Sequence, residues 1–440
     1  MRWKSAGMTR SESQMYRDLV NRKSRTRSGQ YLTGLSIILT MSRTVHTQSL
    51  ALLHRRVQKV LPSQEGLSKL MSERKIRLYQ GFDPTGYRLH LGHTVGLRKL
   101  MEFANLGHEV IFLFGTGTVL VGDPSQRQKA RNLITQKEIE NNIKDWKRQV
   151  KPIVDLSKVI IRENGDWLTN LKLKDIIEIA SKISAIQLFK REMFQRRIEA
   201  GDTVWYHETL YPLLQAYDSV VMDVDLEIGG TDQEFNMLIG RELMRKMKGK
   251  QKYILTTPMI LGTDGKQMSK TSGNCIWLND PPDEMFGKLM RIPDNELSSY
   301  LTNITDIPVD EITSLLKDPL AAKKRLALEV TGQFHGANTA SQAQQSFEAV
   351  VQKGEIPENI TQVSLKPGSL SLLALCRQAD LGVSHAQIKR IIMQGGVEWN
   401  GERLTDPQQT LDIQGGGILK FGKRSYRKIV LKQKPVNGKE

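Results

Sequence analysis

Two histidines, His90 and His93, lie three residues apart in the sequence HLGH, shortly after the turn-forming stretch DPTG at 83–86. A helix is predicted to begin at His90, and its first turn would place both rings on one face, beside free backbone N–H groups and the positive end of the helix dipole. The pattern indicates a phosphate site, where imidazole donors stabilise a transferring phosphoryl group and Gly92 leaves room for a base or ribose. Two solvated histidines at an ordinary helix start would give the same tetrapeptide.

A strand–helix–strand unit is predicted to carry this motif. Residues 77–81 have the composition of a short strand, and the apolar run 110–114 (VIFLF) has the length of a second one. The helix between them would end at Gly107. Its apolar face is formed by Leu97, Leu100, Met101 and Ala104. Two strands joined by a helix are the parallel unit of an α/β domain.

Small residues follow the second strand in GTGTVLVGDPS, residues 115–125. Glycines at 115, 117 and 122 lack the spacing of a dinucleotide-binding loop, which excludes that kind of site. We expect the small side chains to let a ligand lie against the strand end, with the Asp123 carboxylate pointing at it. Residues 126–200 are polar and helical by pattern, which is typical of scaffold.

A stripe of polar side chains is predicted on a later helix. Tyr211, Gln215 and Asp218 stand at positions i, i+4 and i+7. They could converge on a small polar ligand such as an amino acid, whose ammonium suits carboxylate and phenol oxygens. They could also be the polar side of an ordinary amphipathic helix.

Two more strands and a loop are predicted beyond this helix. The run 220–228 (VVMDVDLEI) alternates like a strand, and GGTDQ at 229–233 ends it before a helix over 234–247. Glycines and a carboxylate at a strand end suit a ribose, so Asp232 is predicted to bind sugar hydroxyls. A buried strand is predicted over 253–261.

The segment GTDGKQMSKTSGN, residues 262–274, is called the signature loop below. Its composition predicts a mobile loop, with Lys266 and Lys270 as its cations. A loop lysine that reaches a phosphate only in the transition state raises the rate rather than the ground-state affinity.

Charge is distributed unevenly along the 440 residues. The net charge is +17, and residues 1–44 alone contain nine Lys/Arg and two acidic residues. This surplus favours a polyanionic partner, most simply nucleic acid, although it could serve solubility alone. Cys275 and Cys376 are too few for a disulfide framework or a zinc site, which favours a reducing cytoplasm.

Residues 1–44 are rich in Arg and Ser and lack clear periodicity. We expect a disordered or non-native extension, with Met41 as an alternative start, although a transit peptide has a similar composition. The apolar run 32–41 is too short and too interrupted to span a membrane.

Four motifs in this order and spacing resemble those of class I aminoacyl-tRNA synthetases, and more narrowly those of the bacterial tyrosine-specific family: HLGH, YxxxQxxD, GGTDQ and MSKT. The resemblance runs from about Arg77 to the C-terminus. The family writes its first motif HIGH, and Leu91 replaces the Ile. It writes the last KMSKS, so Gln267 replaces the leading Lys and Thr271 the final Ser. Lys266 lies one residue before the position of that first lysine.

The resemblance implies a Rossmann-like parallel-sheet catalytic domain that activates tyrosine with ATP and then charges tRNA. The residues implied for tyrosine are Tyr79 and Asp218 at the phenol, Asp123, Tyr211 and Gln215 at the ammonium with Thr118 nearby, and Gln233 at the carboxylate or carbonyl. Those implied for ATP are Asp83, Gly92, Gly230, Asp232, Lys266, Met268, Ser269 and Lys270. Thr85, His90, His93 and Lys270 are implied as the catalytic residues that handle the phosphates. Mg²⁺ would accompany ATP, no protein metal site is implied, and the family is dimeric.

The C-terminal part is predicted to be a small α+β domain. Residues 283–352 are helical by pattern with breaks at Pro293 and Pro308, and residues 354–366 have the composition of a linker. The elements predicted after the linker are helices over 371–379 and 384–394 and strands over 397–399, 417–422 and 426–431, with a turn at Asn400-Gly401.

This part resembles the RNA-binding domain named after a small-subunit ribosomal protein. The matching features are Ser384, Lys389-Arg390, QGGV, NG and Gly422-Lys423-Arg424, whereas His385 stands where that family often has arginine. The resemblance implies phosphate contacts from Lys389, Arg390, Lys423 and Arg424, which position an RNA without reading its sequence. A charged surface that binds no RNA is the alternative.

Five segments are therefore predicted: an extension over 1–44, a catalytic domain over 45–262, the signature loop with a helical domain over 263–353, a linker over 354–366 and an RNA-binding domain over 367–434. The expected function is tyrosine activation and tRNA(Tyr) charging by a cytoplasmic homodimer. Three alternatives stay open: a tryptophan-specific relative of the same fold, an RNA-binding protein that has lost its nucleotide chemistry, and a small-molecule nucleotidyltransferase. The pairing of Tyr79 with Asp218 argues against the tryptophan-specific relative. The intact motif residues argue against the loss of nucleotide chemistry, and the RNA-binding tail argues against the nucleotidyltransferase.

Overall fold

The structure is a computed structural model that describes residues 24–25, 31–32, 52–123, 134–268, 272–349, 360–379, 381, 383–422 and 425–431. The chain divides into two compact units, residues 1–280 with 291–326 and residues 281–290 with 327–440. Most of the predicted extension lies outside the described residues. Within it, β1 (Ser24–Arg25) and β2 (Tyr31–Leu32) pair antiparallel.

A six-stranded sheet forms the centre of the first unit. Its strands are β3 (Lys59–Leu61), β4 (Arg77–Phe82), β5 (Glu109–Phe114), β6 (Ile160–Glu163), β7 (Leu226–Gly230) and β8 (Tyr253–Thr257). The order is β3-β8-β7-β4-β5-β6, with β3 antiparallel to β8 and the other neighbours parallel. Strands β5 and β7 are mostly buried on both faces, as expected for a parallel sheet covered by helices. This confirms the predicted α/β fold class.

Helices account for most of the remaining regular structure. In chain order they are α1 (Gln64–Glu73), α2 (Leu91–Asn105), α3 (Thr118–Val121), α4 (Gln136–Val150), α5 (Gly165–Leu168), α6 (Leu173–Ala180), α7 (Ala185–Phe189), α8 (Glu192–Glu199), α9 (Tyr206–Met222), α10 (Glu234–Lys248), α11 (Pro282–Leu289), α12 (Leu297–Ile304), α13 (Val309–Leu315), α14 (Pro319–His335), α15 (Ala337–Phe347), α16 (Leu372–Gln378) and α17 (His385–Met393). The helical pattern predicted over 283–352 is confirmed where it is described, with Pro293 and Pro308 each directly before a helical turn.

The predicted strand–helix–strand unit is confirmed as β4, α2 and β5, and the two strands are parallel neighbours. Helix α2 begins after His90 and ends before Gly107, whose φ of 79° is a conformation that glycine adopts without strain. Leu97 and Leu100 are each 1% exposed. Burial of this face fixes the helix against the sheet, so its amino end lies beside the carboxyl end of β4.

The strand predicted over 220–228 is wrong in its first half. Helix α9 continues to Met222, Asp223 ends it in a left-handed conformation, and β7 begins at Leu226. The apparent alternation comes from two buried carboxylates that ion pairs compensate, Asp225 with Arg74 and Glu227 with Lys252. The strand predicted over 253–261 ends at Thr257, because the following proline has no N–H for the ladder.

The interpretation of residues 126–200 as polar helices is confirmed for α4 to α8 but misses strand β6. This edge strand has only four residues, and its positions alternate between exposed and half-buried. A short strand at a sheet edge needs few apolar residues, so it leaves a weak pattern in the sequence.

The second unit contains a five-stranded sheet and a two-stranded one. The strands are β9 (Thr361–Leu365), β10 (Ser369–Ser371), β11 (Val397–Trp399), β12 (Glu402–Leu404), β13 (Thr410–Asp412), β14 (Gly417–Phe421) and β15 (Ser425–Leu431). The order is β12-β11-β14-β15-β9, and β10 pairs with β13. Helices α16 and α17 and the turn at Asn400-Gly401, with φ of 51° and 87°, are as predicted.

The predicted linker 354–366 is corrected at its C-terminal end. Residues 361–365 form strand β9, which pairs parallel with β15. Leu365 is buried and Val363 packs against the same apolar cluster. The chain therefore enters the small α+β fold several residues earlier than its composition suggests.

Candidate active site

The predicted site residues gather at the carboxyl ends of the central strands. Asp83 follows β4, Thr118 lies just beyond β5, and Gly230 ends β7. Helix α9 carries Tyr211 and Asp218, both buried. In an open parallel sheet this edge is where ligands bind.

The rings of the two histidines of HLGH contact each other at the start of α2, tilted by 56°. Their ring centroids are 4.0 Å apart, and the His90 N–H donates a hydrogen bond to Nδ1 of His93 over 3.2 Å. A Cβ at Gly92 would lie 3.0 Å from the His90 ring, so glycine lets that ring fold back over the helix start. This reason differs from the predicted one, which was room for a base or ribose and which stays a prediction.

The segment after the signature loop supports this helix start. The Leu91 N–H donates to the Ile276 carbonyl over 2.9 Å, and the Leu278 N–H donates to the Leu89 carbonyl over 2.8 Å. The Arg88 guanidinium covers the Trp277 ring at 4.7 Å. The end of the loop is thereby fixed next to the histidines.

Asp83 is held by side chains from two other elements. Its Oδ1 accepts from the Thr118 hydroxyl over 2.7 Å and its Oδ2 from the Tyr211 hydroxyl over 3.0 Å. Burial, together with the Asp83 charge, raises the pKa of Tyr211 well above its usual value. Tyr211 therefore stays protonated and donates to Asp83, which leaves its oxygen lone pairs as acceptors.

Asp218 is 2% exposed and accepts two hydrogen bonds. The Trp167 indole N–H donates over 2.8 Å and the Asn164 amide over 3.0 Å. Burial raises the pKa of the Asp218 carboxyl well above its usual range, and these two bonds oppose that rise. Asn164 and Trp167 were missed in the sequence because they follow β6, and recognising that strand would have pointed to its carboxyl end.

Tyr79 is 1% exposed, and its hydroxyl lies 3.0 Å from Oγ of Ser219. Burial raises its pKa well above the usual value, and the charges of Glu227 and Asp218 add to the rise. Its ring packs in a buried apolar cluster with Met222 and Val224, and Trp167 lies against that cluster. The structure thus places Tyr79 and Asp218 in one buried environment, and their shared role at a phenol, which the family resemblance implied, stays a prediction.

Amide side chains connect the other predicted tyrosine-binding residues. Gln233 donates through Nε2 to Asp123 over 2.8 Å, and its Oε1 accepts from Asn236 over 3.1 Å. Asn236 also donates to Oε1 of Gln215 over 3.0 Å. The guanidinium of Arg191 lies 3.7 Å from Asp123 and is 5% exposed. Asn236 and Arg191 are further site residues that the sequence analysis missed.

Other predicted nucleotide and phosphate residues lie at the end of β7 and in the turn after β4. Gln233 also donates to the exposed Asp232 over 3.1 Å, and a Cβ at Gly230 would clash with the Asp232 carboxylate. The Thr85 N–H donates to the Asp83 carbonyl over 2.7 Å, which closes the turn. Asp232 therefore lies where a ribose at the strand end could reach it.

The signature loop is described only in part. Leu261 and Gln267 pair across a turn in which Gly265 has a φ of 73°, with Lys266 exposed and Met268 buried. Ser269, Lys270 and Thr271 lie outside the described residues. Within the described ranges, no group of three or more His, Cys, Asp or Glu side chains is arranged to hold a metal ion.

The predicted RNA-binding residues belong to the second unit. Lys389 and Arg390 are exposed on α17, opposite the buried Ile388 and Ile392. The Ser384 side chain caps this helix by accepting from the Gln387 N–H, as predicted. Lys423 and Arg424 lie outside the described residues.

Sequence comparison defines the class. Residues 71–352 match the family model described as class I tRNA synthetases (W and Y), and the chain belongs to this family. A curated relative named tyrosine–tRNA ligase from Dehalococcoides mccartyi is 40% identical over 388 residues, covering 86% of this chain and 98% of the relative. One of the same name from Thermotoga maritima is 39% identical and covers 87% and 97%.

Solved structures agree on the fold. A C-terminally truncated mitochondrial tyrosyl-tRNA synthetase from Coccidioides posadasii gives a TM-score of 0.57 at 22% identity, covering 71% of this chain and 98% of the other. The Archaeoglobus fulgidus tyrosyl-tRNA synthetase complexed with L-tyrosine gives 0.56 at 22%, covering 67% and 99%. At this identity the similarity shows the fold alone.

Proposed function

We propose that this protein activates L-tyrosine with ATP, forming tyrosyl-adenylate and diphosphate, and then transfers the tyrosyl group to tRNA(Tyr). The observation that carries the proposal is the connection from Tyr211 through Asp83 to Thr118. It joins the polar stripe of α9 to the turn that leads into HLGH, so an amino acid and a nucleotide would lie side by side. Family membership and the names of the relatives support the same activity.

Activation needs positioning and charge stabilisation. The carboxylate of tyrosine attacks the α-phosphorus of ATP in line, a carboxylate oxygen–phosphorus bond forms, and the bond to the departing diphosphate breaks. No base is required, because the carboxylate is already ionised. His90, His93, Thr85 and Lys270 stabilise the charge on the phosphates, and Mg²⁺ enters with ATP as part of the substrate.

Tyrosine is recognised at both ends in this proposal. Tyr79 and Asp218 bind the phenol, and the oxygens of Asp123, Tyr211 and Gln215 accept from the ammonium, with Thr118 nearby. Gln233 meets the carboxylate. On the nucleotide side, Asp83, Gly92, Gly230 and Asp232 bind the nucleoside. Lys266, Met268, Ser269 and Lys270 are the other proposed ATP contacts.

The second unit supplies the RNA contacts. Lys389 and Arg390, with Lys423 and Arg424, bind phosphates of tRNA(Tyr). Residues 367–440 contain twelve Lys/Arg and six acidic residues, which supports this role. We include β9 in this RNA-binding domain, since it belongs to the same sheet.

A homodimer in the cytoplasm completes the proposal. The segment 173–206 has apolar side chains that are more than half exposed, which favours a partner surface; they are Leu173, Ile177, Ile186, Trp205 and Tyr206. Cys275 and Cys376 are buried free thiols, which suits a reducing compartment. In the part of the chain that the structure describes, no helix is long and apolar enough to cross a membrane. Sedimentation equilibrium tests the dimer.

Selectivity between tyrosine and phenylalanine tests the assigned pocket. A pocket with buried polar partners penalises phenylalanine, because those partners are left unpaired. Tyr79→Phe should therefore cost tyrosine more activation efficiency than phenylalanine, and Asp218→Asn should also impair tyrosine use. The measurement is kcat/KM for both amino acids by pyrophosphate exchange. An unchanged ratio in Tyr79→Phe would mean that this side chain does not contact the hydroxyl.

A further inference from the structure

A buried ion pair lies directly behind the proposed tyrosine pocket. Lys252, just before β8, pairs with Glu227 on β7, and the two side chains are 0% and 2% exposed. A fully buried ion pair contributes little net stability compared with apolar residues of similar volume. Its place next to several pocket residues therefore calls for another explanation.

Glu227 determines which way the Gln215 amide faces. A carboxylate accepts hydrogen bonds and cannot donate, so the Gln215 amide nitrogen must face it, and it does so over 3.0 Å. The amide oxygen then faces the opposite way, where Asn236 donates to it over 3.0 Å. An ammonium group can only donate, so an amide oxygen presented on this side suits it.

Lys252 holds a second pocket residue in place through Ser219. Its ammonium donates to Oγ of Ser219 over 2.8 Å, and the Tyr79 hydroxyl lies 3.0 Å from the same oxygen. Ser219 is 0% exposed. The hydroxyl of Tyr79 is thereby fixed by a charge that lies outside the pocket.

Helix α10 leaves space for the ammonium group of Lys252. A Cβ at Gly240 on α10 would lie closer to Nζ of Lys252 than van der Waals contact allows, and would also touch Glu227 and Ser219. Glycine at this position makes room for the charged group between the helix and the sheet.

We propose that the Lys252–Glu227 pair is the positioning element of the amino-acid site: it orients the Gln215 amide oxygen toward the substrate ammonium and holds the Tyr79 hydroxyl through Ser219. This rests on the proposed assignment of Gln215 and Tyr79 to tyrosine. Neither Lys252 nor Glu227 touches substrate in this account.

Three competitive ligands separate positioning from a general structural effect. Tyrosine and tyramine both carry an ammonium, whereas 3-(4-hydroxyphenyl)propionate has the phenol and a carboxylate without one. Glu227→Gln replaces the carboxylate by an amide, which can donate as well as accept. The new side chain therefore no longer forces the Gln215 amide nitrogen to face it. Binding of tyrosine and tyramine should weaken about tenfold, as for a lost bond to a charged group. The propionate and ATP should bind as before.

Two further variants serve as an alternative to Glu227→Gln and as its control. Gly240→Ala displaces the Lys252 ammonium, which holds Ser219, without removing a polar group. If Glu227→Gln proves too unstable to assay, this variant tests the pair through Ser219, and it should reduce the preference for tyrosine over phenylalanine. Asp225→Asn removes another buried paired carboxylate, 2% exposed, two residues earlier in the chain. It is the matched control and should leave the relative affinities of the three ligands unchanged.

Ser219→Ala tests the Tyr79 side and should reduce the preference for tyrosine over phenylalanine. The positioning role is overturned if Glu227→Gln weakens all three ligands and ATP alike, or weakens none, or if Ser219→Ala leaves that preference unchanged. Gln215→Leu tests separately whether Gln215 contacts the ammonium and whether Glu227 orients its amide. If it leaves tyramine binding unchanged, the assignment of Gln215 to the ammonium is itself wrong. If it weakens tyramine while Glu227→Gln does not, only the positioning role fails.

Discussion

The hydroxyl of Tyr211 donates a hydrogen bond to the carboxylate of Asp83 over 3.0 Å, joining the middle of α9 to the turn after β4. Asp83 lies seven positions before His90 in the chain, so this bond connects the polar stripe of α9 with the approach to HLGH. Burial keeps the phenol protonated by raising the pKa of Tyr211. A change at Tyr211 should therefore affect both the proposed tyrosine site and the proposed ATP site.

Removing this hydroxyl should impair both substrates. In Tyr211→Phe, Asp83 loses the hydrogen bond from this hydroxyl and the proposed ammonium site loses an acceptor. We expect kcat/KM for tyrosine to fall about tenfold, with a smaller rise in KM for ATP. Tyr217→Phe, on the same helix but packed against a separate apolar cluster with Leu213, is the matched control and should behave as wild type. If Tyr211→Phe is as active as wild type, the hydrogen bond from Tyr211 to Asp83 does not contribute to activation.

Phosphate chemistry should depend on His93 and Lys270 separately from tyrosine binding. His93→Ala and Lys270→Ala should each slow adenylate formation about a hundredfold, because they lose stabilisation of transition-state charge. Tyrosine binding, measured by equilibrium fluorescence, should change little. His207→Ala, at an exposed position on α9, serves as control. Equal losses in rate and in tyrosine affinity would contradict the phosphate role.

The C-terminal sheet should be dispensable for activation and required for tRNA charging. Strand β9 belongs to this sheet, so the deletion should begin at residue 361 rather than 367. Pyrophosphate exchange should survive, and aminoacylation should fall at least about tenfold through lost phosphate contacts. The double variant Lys389→Ala/Arg390→Ala should show a milder loss that deepens with added salt, with Lys366→Ala as control. If aminoacylation is undiminished after this deletion, residues 361–440 do not bind the tRNA.

Stability should fall in mild acid partly because of His108. Burial, with a contribution from the charge of Lys75, lowers the pKa of His108 from 6.5 to about 4, and its Nδ1 accepts from the Ile76 N–H over 3.2 Å. The pKa of His108 is lower in the folded state than in the unfolded state, so the neutral ring stabilises the fold. This contribution to the free energy of unfolding is complete above pH 6.5 and is lost as the pH falls toward 4. Between about pH 7.5 and 5 the loss should be about 2 kcal/mol.

Urea unfolding of His108→Gln at the two pH values measures this contribution. A glutamine oxygen can still accept from Ile76, so the variant should fold but lose about 2 kcal/mol less than wild type on acidification. His385→Gln, at an exposed position, should retain the wild-type dependence. If His108→Gln shows the same dependence too, the ring is not held neutral in the folded state.

What the sequence predicted well depended on local pattern. The HLGH helix, the stripe on α9 and the capping of α17 by Ser384 each rest on spacings within a few turns. Strand β6 has too weak a pattern to be recognised in the sequence. Asn164 and Trp167, the partners of Asp218 that follow this strand, were therefore not predicted. The Lys252–Glu227 pair could not be predicted, because it forms only when parallel pairing of β7 with β8 brings the two side chains together.

The most direct test is amino-acid-dependent ATP–pyrophosphate exchange by the full chain, measured separately with each of the twenty amino acids. We expect exchange with tyrosine, and we expect phenylalanine and tryptophan to be activated with far lower kcat/KM. Exchange driven by tryptophan in preference to tyrosine would contradict the assignment of Tyr79 and Asp218 to a phenol. The absence of exchange with any amino acid would contradict the proposed activity itself.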